Sequence, residues 1–227
     1  MKSLEQAKRK GIIRSVLVVD DGSTDKTSAV AKKSGFEVLR LKKNSGKAKA
    51  FYAGVRKIAS QSSQPKILVL LDADLEEFRA IEVKVLIQRL IDHPHLKMVI
   101  GSVIDKETKK RVSYSESGQR AFIFSFVREP LLRRNRKWFS VLGLNEKSGS
   151  TKGYGLERGL NHLLIPQSEN RDDNYLRRVF TNFVARPPRY SYGVMQGIQK
   201  ASIRILERTR QAEELRRKRK LRQPPKR

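Results

Sequence analysis

The run Val16-Leu17-Val18-Val19, followed at once by Asp20-Asp21-Gly22, restricts the fold more than any other stretch. Four apolar residues, three of them β-branched, predict a strand buried on both faces, the kind found in parallel sheets covered by helices. Gly22 permits a tight turn, and Ser23, Thr24 or Asp25 can cap a helix beginning near Lys26. Two carboxylates therefore stand at the carboxyl end of a central strand, beside a helix N-terminus. In open α/β sheets that edge binds ligands. Taken alone, Asp20 and Asp21 serve equally well to close a turn and cap a helix. A second buried strand, Lys66 to Leu71, also ends in acid, at Asp72-Ala73-Asp74.

Around these two strands the pattern alternates. Residues 3–10 predict a helix ending before Gly11, and Ile12 to Val19 leads into the first strand. Thr27 to Ser34 predicts a short helix closed by Gly35. Phe36 to Leu41 reads as a strand near a sheet edge. Ser45 to Ser60 reads as a helix with Ala50, Phe51, Gly54, Val55 and Ile58 on one face. Its first turn carries Lys47 and Lys49, where the helix dipole disfavours cations unless an anion is near. A helix is expected from about Glu76 to Asp92, with Ile81, Val85, Leu86, Leu90 and Ile91 as its apolar stripe. His93-Pro94-His95 ends it, and a surface turn explains this pair better than a metal site. Met98 to Val103 predicts a strand and Asp105 to Arg111 a charged loop.

The second half is less regular. Ser115 to Arg133 predicts a helix, with Ala121, Phe122, Phe124, Val127 and Leu131 inward and Pro130 kinking or ending it. Arg133 to Phe139 sets basic residues beside an aromatic pair, read as a loop with one buried anchor. Gly153-Tyr154-Gly155-Leu156-Glu157 leads into an apolar helix through Leu164. Tyr175 to Ala185 supplies a strand or helix with Phe180, Phe183 and Val184 inward. Met195 to Arg222 has a helical pattern that is mostly charged, and the final residues predict disorder.

The chain of 227 residues carries 50 Lys+Arg against 23 Asp+Glu, a formal net charge of +27. Arg204 to Arg227 holds 11 basic and 3 acidic residues, +8 of that total, so +19 is spread through the body. Such a field attracts polyanions: nucleic acid, anionic headgroups or phosphorylated substrates. With no cysteine there is no disulfide and no thiolate metal site. No signal peptide or membrane-spanning run is read from the sequence.

Val-Val-Asp-Asp-Gly-Ser-Thr-Asp, then Asn44-Ser45-Gly46-Lys47 with Ala50, then Leu71-Asp72-Ala73-Asp74-Leu75, in that order, resembles the family 2 glycosyltransferases. The resemblance covers roughly residues 12–105. It implies an α/β, GT-A (Rossmann-like) fold, a mostly parallel sheet flanked by helices, with residues 1–192 forming the domain and 193–227 a basic helix and tail. Relatives normally open with an earlier strand, which by this resemblance is absent. The implied reaction is metal-dependent transfer of a sugar from a UDP- or GDP-sugar donor to a polyprenyl-phosphate or glycan acceptor. A divalent metal, Mg²⁺ or Mn²⁺, would be held by Asp74 with Glu76. Asp72 would face the ribose or the metal's waters and share the catalytic work with Glu157. Asp20 would meet the base or ribose with Asp21 supporting it, and Lys47 would lie near the diphosphate. Gly-Tyr-Gly-x-Glu looks like a late acidic motif of several relatives, which makes Glu157 the acceptor-side acid. Arg120 is carried over as a possible phosphate contact at the acceptor, its alternative being an ordinary helix-surface arginine. The location implied is cytoplasmic, peripheral to an anionic membrane surface if the acceptor is lipid. Two further classes stay open: a catalytically silent remnant that binds a partner, and a basic nucleic-acid-binding protein. No recognised nucleic-acid motif supports the second.

Overall fold

Short apolar runs alternate with amphipathic ones through the first third of the chain, and the backbone follows them as helix and strand in turn. The structure, a computed structural model, describes residues 1–73, 75–105, 109, 117–144, 155–164 and 176–185. All of these belong to one unit, Met1–Pro187. Helix α1 (Lys2–Arg9) precedes β1 (Leu17–Asp20), α2 (Thr27–Lys33), β2 (Glu37–Arg40), α3 (Lys47–Ala59) and β3 (Ile67–Leu70). The strand expected at Val16–Val19 runs from Leu17 to Asp20. Gly35 follows α2 with φ +70°, the left-handed conformation that its missing Cβ permits.

Three segments depart from expectation. The helix expected from Glu76 is preceded by a short strand, β4 (Leu75–Glu77), and α4 (Ala80–Asp92) begins at the turn after it. The Arg79 backbone N–H donates to Glu82 Oε2 at 2.5 Å, and the Arg79 guanidinium grips Oε1 of the same carboxylate. That reciprocal contact fixes where the helix starts. It also rotates the buried face. Ala80, Val83, Leu86 and Leu90 are inside, while Ile81 and Ile91 are 46% and 56% exposed. Leu86, fully enclosed, contributes on the order of 2 kcal/mol of apolar burial.

The second departure is at residues 115–133. Instead of one helix there is a strand, β6 (Arg120–Ile123), followed by α5 (Phe124–Leu132). Between α4 and β6 lies β5 (Met98–Asp105). β6 fills the gap between β3 and β5 and pairs antiparallel with both. Its backbone groups complete two ladders at once, and tertiary pairing overrides the local helical pattern. Pro130 sits inside α5 without ending it. The basic-aromatic run is helical too. In α6 (Arg136–Val141) the Asn135 side chain accepts from the Lys137 and Trp138 N–H groups, and both Trp138 and Phe139 are buried.

Helix α7 (Gly155–Leu164) and strand β7 (Leu176–Ala185) complete the described elements. β1 and β2 pair in parallel. The larger sheet has the order β3-β6-β5-β7-β4, with β5 and β7 parallel and β4 antiparallel to β7. Alternation along β5 divides its side chains between two cores. Met98 and Ile100 join Phe51, Phe122, Phe124 and Leu160 under α3, α5, α6 and α7. Val99 and Val103 join Leu86 and Leu90 under α4. No helix among the described residues is long and apolar enough to cross a membrane. The segment 193–227, expected to be a basic helix and tail, lies outside the described residues.

Candidate functional site

The acids at the end of β1 are turned inward. Asp20 is 2% exposed. Its Oδ1 accepts the Ser23 N–H at 2.7 Å, and its Oδ2 accepts the Ser28 hydroxyl. Arg40 lies 3.6 Å away on β2. These donors, led by the Ser28 hydroxyl, favour the ionised form and hold the carboxyl down at about 2 against burial, which would raise it. Asp21 serves the next turn. Its two oxygens accept the N–H groups of Ser45 and Gly46, each at 2.8 Å. Gly46, at φ +91°, then starts α3 and sets Lys47 in its first turn. Asp21 thereby fixes the place from which Lys47 reaches out.

The end of β3 is built from further away. In the antiparallel register Leu68 faces Phe122 and Leu70 faces Arg120. Carried two residues on, the same register sets Asp72 opposite Gly118. A Cβ on Gly118 would lie 2.1 Å from Asp72 Oδ2, so the carboxylate occupies the space a side chain would need. Gln119 grips the same residue twice. Its Oε1 accepts the Asp72 N–H at 3.0 Å, and its Nε2 donates to Asp72 Oδ2 at 3.1 Å.

Lys47 closes the centre. Its ammonium contacts Asp72 Oδ1 at 2.5 Å and pairs with Oε1 of Glu157. Glu157 stands in the first turn of α7 and is 5% exposed. Burial alone would lower the Lys47 pKa, but the Glu157 and Asp72 carboxylates outweigh it and hold the group above its ordinary value. Below it Arg120 is completely enclosed in β6. Its Nε donates to the Ser117 carbonyl at 2.8 Å, and its Nη1 to Asn161 Oδ1 at 2.6 Å, one turn beyond Glu157. Burial draws the Arg120 guanidinium down to about 10, against the pull of Glu157 and Asp72. It is therefore an internal anchor of α7 on the sheet and not a helix-surface arginine.

Of the residues singled out in the sequence, Lys47, Asp72 and Glu157 come together, with Arg120 beneath them. Asp20 and Asp21 shape the turns beside them. Asp74 and the side chain of Glu76 lie outside the described residues. Gln119 and Asn161 had no role in the sequence reading, and Gly118 only that of a glycine at the opening of the expected helix, directly before Gln119 and Arg120. His93 and His95 place their rings 5.9 Å apart at the end of α4. Among the described residues no group of three or more His, Cys, Asp or Glu converges as a metal cluster.

Comparison with known proteins bears on the same region. Uncharacterized protein MJ1222 of Methanocaldococcus jannaschii is 40% identical over 73 residues, which are 32% of this chain and 29% of that protein. Among solved structures, glucosyl-3-phosphoglycerate synthase from Mycobacterium tuberculosis, in complex with Mn²⁺, uridine diphosphate and glucosyl-3-phosphoglycerate, superposes with a TM-score of 0.60 at 18% identity, over 90% of this chain and 73% of that one. Mannosyl-3-phosphoglycerate synthase from Rubrobacter xylanophilus gives 0.63 at 16% identity, over 99% and 71%. These likenesses show the fold, which is GT-A. The profile of Glycosyl transferase family 2 matches residues 2–145, more than half of the chain, and includes both acidic strand ends and Lys47; the chain belongs to that family.

Proposed function

We propose that the chain transfers a sugar from a UDP- or GDP-sugar donor, with Mg²⁺ or Mn²⁺, to a polyprenyl-phosphate or glycan acceptor. Its main support is the Lys47 ammonium set between two carboxylates, Asp72 and Glu157, that arrive from separate elements. Breaking a sugar–diphosphate bond loads negative charge on the leaving group. A cation fixed at a strand end can meet that charge as it develops. Lys47 takes this part, beside the diphosphate.

Carboxylate oxygens are the donors on offer at this edge, and the chain has no cysteine, which suits a hard divalent cation. Asp72 is engaged by Lys47 and Gln119, so Asp74 and Glu76 would hold the metal. When bound, the metal neutralises the departing diphosphate. Asp72 faces the donor ribose or the metal's waters. Asp20 and Asp21 define the base side of the donor edge through the turns they hold. Glu157 faces the acceptor and accepts its proton where that group is a hydroxyl. Arg120 supports the acceptor side through Ser117 and Asn161. The excess of basic residues favours an acceptor carrying phosphate. One solved neighbour, glucosyl-3-phosphoglycerate synthase, is described in complex with such a compound, phosphoglyceric acid. In this reading residues 1–192 carry the transfer domain, and 193–227 draw it to an anionic membrane surface from the cytoplasmic side.

The test is calorimetric titration of UDP- and GDP-sugars, with and without Mn²⁺, on the wild type and on Asp74→Ala. Metal-dependent binding that disappears in the variant supports the proposal and names the base. Absence of binding with either donor sinks it and favours a silent binding protein.

A further inference from the structure

We propose that Gln119 is a positioning residue of the donor site, acting through Asp72. The inference rests on the glycosyl-transfer reading and deepens it. Gln119 is 2% exposed, and its amide meets one residue at two points, the Asp72 N–H and Asp72 Oδ2. A carboxylate just past a strand end has a free χ1 and a free main-chain exit. Gln119 removes both freedoms together. The N–H bond fixes the course of the chain as it leaves β3, and the bond to Oδ2 fixes the rotamer. Gly118 enforces the same arrangement by omission, because a Cβ there would fall 2.5 Å from the Asp72 carboxyl carbon. Lys47 holds the other oxygen, Oδ1. Asp72 is thereby set from opposite sides before any ligand arrives, and the ordering that a mobile carboxylate would require on binding is already complete.

The two contacts separate by substitution. In Gln119→Glu an oxygen remains for the Asp72 N–H, but the donor to Oδ2 is lost and a like charge faces the carboxylate. In Gln119→Met both contacts are lost at nearly equal volume. In Gly118→Ala Gln119 is intact, and Asp72 is displaced directly. The probes are the UDP- or GDP-sugar that the wild type binds, with Mn²⁺, measured by calorimetry beside the thermal midpoint of each variant. We expect all three variants to raise the donor Kd of the folded protein at least tenfold, beyond whatever they take from the midpoint. A residue with a merely structural role would lower the midpoint and leave the Kd of the folded fraction unchanged. In turnover the loss should appear in KM for the donor before kcat. Wild-type Kd in all three variants overturns the assignment of Gln119 and leaves glycosyl transfer standing. Absence of donor binding by the wild type overturns both, and the two failures are told apart by which protein fails to bind.

Discussion

Two strands of this molecule lead into aspartate, β1 at its last residue and β3 two residues on, and the fold treats the two carboxylates in opposite ways. At the end of β1, Asp20 is satisfied by neighbours in sequence, Ser23 and Ser28, and is closed off from solvent. At the end of β3, Asp72 is held by residues from α3 and from the approach to β6, and its side chain keeps 23% of its exposure. A carboxylate tied by local donors is an architectural part. One tied by remote donors is set in place by the tertiary fold, at a point that still meets solvent. The same residue type at equivalent places thus does two jobs, and its partners decide which.

The largest test of that contrast is Lys47→Met. It leaves Asp72 and Glu157 without the cation between them, and we expect the rate of sugar transfer to fall by about 100-fold, the size of effect seen when one preorganised charge-stabilising group is removed. Single-turnover measurement with the donor that binds would show it; a rate within threefold of wild type would mean that the β3 end is as architectural as the other. Next comes Gly22→Ala at the β1 end. Gly22 has φ +78°, and an added Cβ would meet backbone atoms of Lys43 and Asn44 at 2.7 Å. The turn must shift or strain, at about 2–3 kcal/mol of stability by urea unfolding.

Asp20→Asn should cost about 2 kcal/mol, the contribution of hydrogen bonds to a charged group. Its pH dependence gives the sign. The folded carboxyl titrates at about 2, below the ordinary 3.8. The folded chain therefore binds fewer protons than the unfolded one between those values. Asp20 stabilises fully above pH 4, and this contribution fades as pH falls through 2. Unfolding curves of wild type and variant should converge over that window; a constant gap would refute the charge-based account. Arg40→Gln is the smallest. Arg40 is 58% exposed along its side chain and 3.6 Å from Asp20. We expect no more than about half a kcal/mol.

Much of this contrast was legible in the chain and part was not. The strand ends, α3 with Lys47 in its first turn, and Glu157 at the start of a helix all followed from local pattern. That Lys47 and Glu157 meet did not, because no spacing rule links residues so far apart. β6 was hidden for a different reason. Arg-Ala-Phe-Ile is buried almost throughout, so neither period shows, and the apolar residues of α5 directly after it extend a helical pattern backwards. On α4 the sequence offered more apolar residues than one face can bury, and the Arg79–Glu82 contact chose among them. Gln119 was unreadable until the register opposed it to Asp72.

The bridge from Lys47 to Glu157 also orders events in time. A chain emerging from the ribosome has Lys47 and Asp72 early, while Gln119 comes later and Glu157 later still. Contacts between distant residues form slowly, since a long loop must close first. The polar centre is therefore finished only when α7 docks. A chain interrupted before residue 155 would have β1 to β6 yet leave Lys47 without its partner Glu157.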